Sequence, residues 1–211
     1  MARTSIVLVG GKSARLGRDK VTELIGGKSL LQRVLSRLTT FSTDIILVMA
    51  QGQEKLLDSF PPKTRIIQDL FPDGGSLGGI YSGLTVSPSF HNLLLACDMP
   101  FLNGPLLKYL LEVSPLFDVV IPKVGDSLEP LHAVYSKNCI APIQKLLERG
   151  NHRIIDFFPQ VKVKYVEEEL NRFDPEHLSF FNINTQNDLD KAQHLVLGNM
   201  SLEAEREVYT Q

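Results

Sequence analysis

The sequence predicts a three-layer α/β domain with a mainly parallel central sheet. Strand-like and helix-like segments alternate along most of the 211 residues, which is the pattern of a sheet whose parallel strands are joined by helices. Several strand candidates are continuous apolar runs, such as IVLV at 6–9 and LLLA at 93–96. Such runs are expected when helices cover both faces of a sheet. A chain of this length can bury one sizeable core.

The individual elements follow from these runs and from the turn residues between them. Strands are predicted over residues 5–9, 44–49, 64–68, 92–96, 118–122 and 161–166. Helices are predicted over residues 29–38, 53–59, 77–86, 104–113, 136–148 and 187–197. Thr185 is predicted to be the N-cap of the last helix, because its hydroxyl can accept a hydrogen bond from a free amide of the first turn. We expect a single domain over 1–197 and a charged tail over 198–211.

Composition and charge narrow the classes of function. The chain is 43% hydrophobic and 22% charged, as in a globular protein. Its net charge of −2 argues against strong nonspecific binding of nucleic acid. Cys97 and Cys139 make no disulfide framework, and Cys97 is expected to be a small buried hydrophobe. No apolar run is long enough to span a membrane and the N-terminus lacks a signal peptide, so we expect a cytoplasmic protein.

The first strand leads into a glycine-rich, cationic loop that is typical of phosphate binding. Gly10 and Gly11 let backbone amides approach an anion, and the cations that follow neutralise it. Arg15 and Lys20 are the best candidates for phosphate ligands, because arginine can grip a phosphate with two hydrogen bonds and lysine acts as a point charge. An ordinary surface loop is the alternative. The remaining cations of the region are interpreted as surface residues: Lys12, Arg18 and Lys28.

Two common phosphate-binding motifs are excluded by spacing. The P-loop pattern G-x-x-x-x-G-K-S/T requires a glycine five residues before the G-K-S segment. The two G-K-S segments of this chain have Ile6 and Thr22 at that position. The dinucleotide-binding pattern G-x-G-x-x-G is also absent, because Gly10 and Gly11 are adjacent and the next glycine is Gly17.

Two aspartates follow predicted strands and would lie at the carboxyl edge of the sheet, where parallel sheets bind ligands. Asp98 ends the strand LLLAC, and a single carboxylate can hold Mg²⁺ together with phosphates and water. A helix N-cap or turn residue is the alternative. Asp69 ends the third strand, and the glycines behind it, including Gly79, permit close approach of a base or ribose. A flexible turn explains these glycines equally well.

Two further segments carry polar residues. Residues 180–185 alternate in polarity and are predicted to form a strand, with Asn182 and Asn184 on one face. These amides suit a polar ligand or a metal, or else they cap the turn and the following helix. The five histidines show no metal-ligand spacing. His132 lies in the strand-like segment EPLHAVY, where a substrate-side or structural role is favoured over that of a general base.

The order of these motifs resembles that of the MobA family, the bacterial and archaeal molybdenum cofactor guanylyltransferases. The matching segments run from about residue 5 to 193 and comprise LVGGKSARLGRDK, Asp69 with GGSLGGI, LLLACDMPFL, EPLHAVY and FFNINTQNDL. The CDMPF turn and the FFNINT ending are the most specific. The resemblance implies a Rossmann-like nucleotidyltransferase fold. It also implies transfer of GMP from Mg²⁺-GTP to the terminal phosphate of molybdenum-molybdopterin, forming molybdopterin guanine dinucleotide and pyrophosphate.

The resemblance also implies roles for individual residues. Asp98 matches the Mg²⁺ ligand, Asp69 a nucleotide-binding aspartate, and Arg15 and Lys20 the loop cations. Val9 departs from the usual alanine, and SLGG at 76–79 departs from P-L-A-G. The other implied nucleotide-side positions are Leu8, Val9, Gly10, Gly11 and Gly79. The implied pterin-side positions are Arg153, Asn182 and Asn184.

Three alternatives to this function remain open at the level of sequence. One is a cytidylyltransferase that acts on molybdopterin, and another is a nucleotidyltransferase that acts on a sugar or polyol phosphate. The third is a noncatalytic GTP-binding module in cofactor assembly. The expected partners are GTP, molybdopterin and other proteins of molybdenum cofactor biosynthesis, with no nucleic acid and no membrane.

Overall fold

The computed structural model describes residues 3–10, 22–50 and 60–208, with side chains described as far as residue 198. The helix predicted over 53–59 lies outside the described residues. So do three predicted site residues of the first loop, namely Gly11, Arg15 and Lys20.

Ten strands and six α-helices are present in the described residues. The strands are β1 (Thr4–Val9), β2 (Leu24–Ile25), β3 (Lys28–Ser29), β4 (Asp44–Met49), β5 (Thr64–Gln68), β6 (His91–Ala96), β7 (Val119–Val124), β8 (Ser127–Leu128), β9 (His132–Ser136) and β10 (Val163–Val166). The helices are α1 (Leu30–Leu38), α2 (Gly75–Val86), α3 (Gly104–Val113), α4 (Ile140–Glu148), α5 (Leu170–Phe173) and α6 (Gln186–Val208). No described helix is both long and apolar enough to cross a bilayer.

The central sheet is mainly parallel, as predicted. It has eight strands in the order β10-β7-β9-β6-β1-β4-β5, with β8 paired to β7 at one end. The exceptions to parallel pairing are β9, which runs antiparallel to β6 and β7, and β8, which forms a hairpin with β7. Strands β2 and β3 form a separate hairpin. The second G-K-S segment belongs to this hairpin, where Gly26 and Gly27 have positive φ and Ser29 caps α1.

Helices cover both faces of the sheet, which confirms the three-layer prediction. Helices α1 and α3 pack on the face that carries Val7 and Val9, and α2 and α4 pack on the face that carries Ile6 and Leu8. All six residues of β1 are buried, because successive side chains of a strand point to opposite faces and both faces are covered. Helix α6 packs instead on the β2–β3 hairpin.

Glycines bring α2 close to the first strand. A Cβ atom on Gly83 would lie 2.5 Å from Cγ2 of Ile6, and one on Gly79 would lie 3.0 Å from Cδ2 of Leu8. A Cβ atom on Gly78 would clash with the carbonyl oxygen of Phe71. Close packing therefore explains why these positions are glycines, and a bound ligand is not needed to explain them.

Several predicted elements differ from the structure. Helix α2 begins two residues earlier than predicted, and β7 ends two residues later. The predicted strand over 180–185 is wrong: Leu178–Phe180 form a 3₁₀ turn, and residues 181–185 pair with none of the described strands. The helix predicted from residue 136 begins at Ile140, because Ser136 ends β9 and Lys137–Cys139 form a 3₁₀ turn. Strand β10 begins two residues later than predicted. Helix α6 continues to Val208 and so extends beyond the predicted boundary at 197.

Candidate active site

The carboxyl ends of four adjacent parallel strands meet at one edge of the sheet. The register pairs Leu8 of β1 with Ala96 of β6, and Val9 of β1 with Met49 of β4, which pairs in turn with Gln68 of β5. Asp98 follows β6 and Asp69 follows β5, so both aspartates lie beyond this edge. Their strands are three positions apart, which corresponds to about 14 Å at the usual strand spacing.

Asp98 lies in a turn held to the first strand. The amide of Cys97 donates a 3.1 Å hydrogen bond to the carbonyl of Leu8, which fixes the backbone just before the aspartate. The residue is half-buried, and its Oδ1 atom is inaccessible to solvent. The N-cap of the following helix α3 is Asn103, whose Oδ1 accepts a 2.9 Å hydrogen bond from the amide of Leu106. The interpretation of Asp98 as that cap is therefore excluded.

The segment with the two asparagines is bonded directly to this turn. The amide of Ile183 donates a 3.1 Å hydrogen bond to the carbonyl of Asp98. Ile183 itself is fully buried in the cluster between α6 and the β2–β3 hairpin, whereas Asn182 and Asn184 on either side of it are more exposed. The fold thus brings Asp98, Asn182 and Asn184 together, although 84 positions separate Asp98 from Asn182 along the chain.

A reciprocal cap holds the end of this segment. The amide of Thr185 donates to Asp188 Oδ2 at 2.9 Å, and the amide of Asp188 donates back to Thr185 Oγ1 at 3.2 Å. The amide of Asn184 also donates to Asp188 Oδ2, at 3.1 Å. The predicted N-cap Thr185 is confirmed. Sequence reasoning missed Asp188, although the spacing T-x-x-D is the signal of a capping box.

Asp69 is bound into the loop that leads to α2. Its Oδ1 accepts hydrogen bonds from the amide of Phe71 at 2.9 Å and from the hydroxyl of Ser82 at 2.7 Å. The Ser82 oxygen also accepts a 2.8 Å bond from the amide of Leu70. One carboxylate oxygen of Asp69 therefore fixes the entry to α2. Ser82 lies 13 residues away in sequence, and no local pattern marks it.

Helix α2 begins at the same edge, and no side chain of the described residues caps its first turn. Gly74 occupies the N-cap position, and the first turn carries no acidic residue. The free amides of such a turn and the helix dipole favour an anion or a polar oxygen. Gly10, at the end of β1, has a φ of 140°, which only glycine adopts readily. Gly10 is the last described residue before the cationic loop.

Arg153 lies on the same edge, on the α2 and α4 side. Helix α4 ends against the start of α2. A Cβ atom added to Gly74 would lie only 2.8 Å from Cδ2 of Leu147. The chain then passes Gly150, whose φ is 68°, to Arg153. The Arg153 side chain is 71% exposed and its Nε lies 3.6 Å from Asp156 Oδ1. An exposed pair of this kind holds the guanidinium only weakly.

His132 begins β9 beside the edge and is fully buried. It pairs with Leu95 of β6, and its ring packs on that of Phe180 in a T-shaped arrangement with the centroids 4.9 Å apart. Neither ring nitrogen has a hydrogen-bond partner in the described chain. Burial lowers the pKa of His132 to about 3, so the ring is neutral at pH 7. This environment supports a structural role.

Comparison with known proteins identifies the family. Residues 5–164 match the family model of the MobA-like NTP transferase domain, which covers the sheet from β1 into β10. The chain belongs to this family. It is therefore a nucleotidyltransferase.

The relatives have similar length. The chain is 37% identical over 191 residues to a probable molybdenum cofactor guanylyltransferase of Pelotomaculum thermopropionicum, with 90% of this chain and 91% of that protein covered. It is 33% identical over 195 residues to the molybdenum cofactor guanylyltransferase of Desulfosudis oleivorans, with 91% and 95% covered. The crystal structure of molybdopterin-guanine dinucleotide biosynthesis protein A from Archaeoglobus fulgidus matches with a TM-score of 0.80 and 31% identity over 92% of this chain and 99% of that one.

Nucleotidyltransferases of this family generally use a divalent metal ion, and Asp98 suits one. The described residues contain no cluster of three or more His, Cys, Asp or Glu side chains that would enclose an ion. A magnesium ion does not need such a cluster, because it retains several waters and is usually held by one or two carboxylates and the substrate phosphates. A half-buried carboxylate at the sheet edge meets this requirement.

The predicted nucleotide-side residues divide into three groups. Leu8 and Val9 are buried in the two core layers, so only their backbone groups are available to a ligand. Gly79 has no side chain and packs closely on Leu8, so only its backbone could contact a ligand. Asp69, Asp98 and the α2 N-terminus share the edge. The three loop residues Gly11, Arg15 and Lys20 lie outside the described residues.

Proposed function

We propose that the protein transfers GMP from GTP to the terminal phosphate of molybdopterin that carries molybdenum, forming molybdopterin guanine dinucleotide and pyrophosphate. The observation that carries this proposal is the backbone hydrogen bond between Asp98 and Ile183. It joins a carboxylate suited to a metal-bound nucleotide to a pair of amides suited to a second polar substrate. The guanylyltransferase names of relatives that cover about nine tenths of the chain support the identity of both substrates.

The chemistry requires positioning and charge neutralisation rather than a protein nucleophile. An oxygen of the acceptor phosphate attacks the α-phosphorus of GTP in line, the bond to the β-phosphate breaks, and pyrophosphate leaves with that bridging oxygen. Asp98 would hold Mg²⁺ beside the α-phosphate. When bound, that ion would neutralise charge on the phosphates. Arg15 and Lys20 would bind the phosphates that leave.

The two substrates would lie on opposite sides of Asp98 along the sheet edge. Asp69, Gly10 and the start of α2 would receive the nucleoside of GTP, since these groups offer an acceptor oxygen and free backbone amides. Asn182 and Asn184 would bind the acceptor. Arg153 follows the end of α4 beside the start of α2, and its exposed guanidinium would bind a phosphate where the two substrates meet. In-line attack then occurs at the junction, where Asp98 lies.

A nucleotide panel tests this function. Purified protein is incubated with Mg²⁺, molybdenum-molybdopterin and GTP, CTP or ATP, and both pyrophosphate and the dinucleotide are quantified. We expect product with GTP and at least tenfold less with the other nucleotides. Preference for CTP would favour the cytidylyltransferase alternative, and transfer to sugar or polyol phosphates alone would favour the second alternative. GTP binding without pyrophosphate release would favour the noncatalytic module.

The variant Asp98→Asn tests the role of the carboxylate. It keeps the size of the side chain but removes the charge that a metal requires, so kcat is expected to fall by about 100-fold or more. The matched control is Glu112→Gln, which removes one charge from the exposed end of α3 far from the sheet edge. A rate for Asp98→Asn within threefold of the control would contradict the assignment.

A further inference from the structure

Glu129 lies in a short, firmly bonded connection at the same edge of the sheet. It follows the β7–β8 hairpin and precedes β9. The amide of Glu129 donates to the carbonyl of Pro122 at 3.0 Å, and its own carbonyl accepts from the amide of His132 at 3.0 Å. Two residues later, the carbonyl of Leu131 accepts from the amide of Ala96 at 3.0 Å. The backbone that carries Glu129 is therefore fixed to both β7 and β6.

The side chain of Glu129 has no partner among the residues that the structure describes. It is half-buried, yet its carboxylate makes no hydrogen bond or ion pair with any part of the chain that the structure describes. Burial alone raises the pKa of this carboxyl. A partly desolvated carboxylate without a partner is unfavourable, and Glu129 differs in this respect from Asp69, Asp118 and Asp188, whose oxygens accept hydrogen bonds. The backbone that carries Glu129 is held in place, and its half-buried carboxylate is available to accept hydrogen bonds from a ligand.

The sheet order places Glu129 on the acceptor side of the proposed reaction. Its connection borders β6 two residues before Asp98, through the bond between Leu131 and Ala96. Asp69 lies on the other side of Asp98, beyond β1 and β4. If the nucleoside occupies the Asp69 side, the ligand beside Glu129 belongs to the other substrate.

We propose that Glu129 binds the pterin ring of the acceptor by accepting hydrogen bonds from N3–H and the 2-amino group. This inference rests on the proposed function, which supplies a pterin as the second substrate. The two oxygens of a carboxylate face two parallel N–H donors in the same way as they face a guanidinium. Guanine carries an equivalent pair of donors, but its place on the sheet edge is the Asp69 side. Glu129 thus recognises the pterin ring of the acceptor and does not contact its phosphate.

Exchange of one donor on the ring provides a direct test. The probes are a 6-substituted pterin monophosphate and the corresponding lumazine, in which an oxygen replaces the 2-amino group. A carboxylate pairs with the pterin, whereas the amide of Glu129→Gln offers one acceptor and one donor and so pairs with the lumazine. We expect the wild-type protein to bind the pterin about 10- to 100-fold more tightly than the lumazine, and Glu129→Gln to reverse that order. Dissociation constants come from quenching of ring fluorescence, which needs no turnover.

Three controls keep the result specific. Asp126→Asn removes a charge from the exposed turn of the β7–β8 hairpin and is expected to leave the preference for pterin unchanged. Glu129→Asp retains both oxygens and is expected to retain the preference with weaker binding. Matching thermal unfolding curves for the three variants and the wild type confirm that each is folded.

The outcomes separate this inference from the proposed function. Equal pterin-to-lumazine ratios in wild type and Glu129→Gln would overturn the inference, even if GMP transfer proceeds normally. A switch from GTP to xanthosine triphosphate in Glu129→Gln, with no change toward the pterin, would also overturn it by assigning Glu129 to the nucleotide. Reversal of the ring preference in a protein that transfers no GMP would support the ring contact and refute the proposed function.

Discussion

Replacing His132 with leucine is expected to make the folded protein less sensitive to acid. The imidazole is fully buried between β6 and Phe180, and neither ring nitrogen has a hydrogen-bond partner in the described chain. Burial lowers its pKa to about 3 from an ordinary value of 6.5. In the unfolded chain the ring is exposed to water, so its pKa returns to the ordinary value. The two states therefore bind different numbers of protons between these values.

The sign and the size of the pH effect on stability follow from this difference in bound protons. Below pH 6.5 the unfolded chain binds a proton that the folded protein does not, so the free energy of unfolding falls as the pH falls, until the folded pKa near 3 is reached. From pH 7 to pH 5 the loss due to His132 alone is about 2 kcal/mol, at a limiting slope of about 1.4 kcal/mol per pH unit. This is a large part of the total stability of an ordinary domain.

Urea unfolding at pH 7 and pH 5, for wild type and His132→Leu, measures this quantity. The free energy of unfolding of the wild type is subtracted from that of the variant at each pH, and the two differences are then compared. This double difference cancels the contributions of the other titrating groups. The result is expected to be about 2 kcal/mol in favour of the variant. The same comparison between pH 8 and pH 7 is an internal control and should give about 0.15 kcal/mol. A pH 7 to pH 5 value below about 0.5 kcal/mol would refute the reasoning, since it would mean that the folded protein protonates His132 as easily as the unfolded chain.

Three further substitutions probe packing, electrostatics and capping. Gly83→Ala places a Cβ atom 2.5 Å from Ile6 and should destabilise the protein by about 1–3 kcal/mol, whereas Gly198→Ala, with open space around it, should be neutral or stabilising in the same melts. Asp118 accepts hydrogen bonds that hold its pKa below the ordinary 3.8 against the opposing effect of burial, so Asp118→Ala should lower Tm at pH 7 and lower it less at pH 3. Equal losses at both pH values would contradict that. Thr185→Ala removes the cap of α6 and should lower the free energy of unfolding by about 1 kcal/mol and raise the KM for the acceptor. An unchanged KM would mean that the cap does not position the Asn182 segment.

The parallel half of the sheet was predictable because its strands carry their own signal. The predicted strands over 44–49 and 64–68 match β4 and β5 in full, and the helix over 104–113 matches α3. Each is bounded by turn residues. The apolar patterns of β4 and α3 match the burial that the fold supplies, whereas none of the five residues of β5 is buried. Strand β9 was recognised only as a strand-like segment, since its short run between Pro130 and the 3₁₀ turn gives no sign of its antiparallel direction.

The predicted strand over 180–185 shows why alternation alone is insufficient. Asn182, Ile183 and Asn184 alternate between exposed and buried as a strand would, but the buried position faces α6 and the β2–β3 hairpin rather than a sheet. The amides of Asn184 and Thr185 are taken by Asp188 and are not available to a neighbouring strand. Periodicity reports which side is buried, whereas pairing depends on partners far away in the chain.

Candidate site residues were predictable where they follow a strand, and less so where they depend on tertiary contacts. The position of Asp98 at the edge follows from the apolar run before it. The contact that gives Asp98 its neighbours, the bond from the amide of Ile183, crosses 85 positions and has no sequence signal. The hydrogen bond between Ser82 and Asp69 is similar, since nothing in the sequence distinguishes this serine of a glycine-rich helix from one without a partner.

The backbone nature of the bond between Ile183 and Asp98 has a consequence for how the site fails. The bond uses the carbonyl of Asp98, so substitution of the carboxylate leaves it intact and keeps Asn182 and Asn184 in place. Loss of the carboxylate should then lower kcat with little change in the KM for the acceptor. Loss of the Thr185 cap should act in the opposite way, because it releases the segment proposed to bind the acceptor while the carboxylate remains. The two variants together distinguish the chemical role of the sheet edge from its role in holding the second substrate.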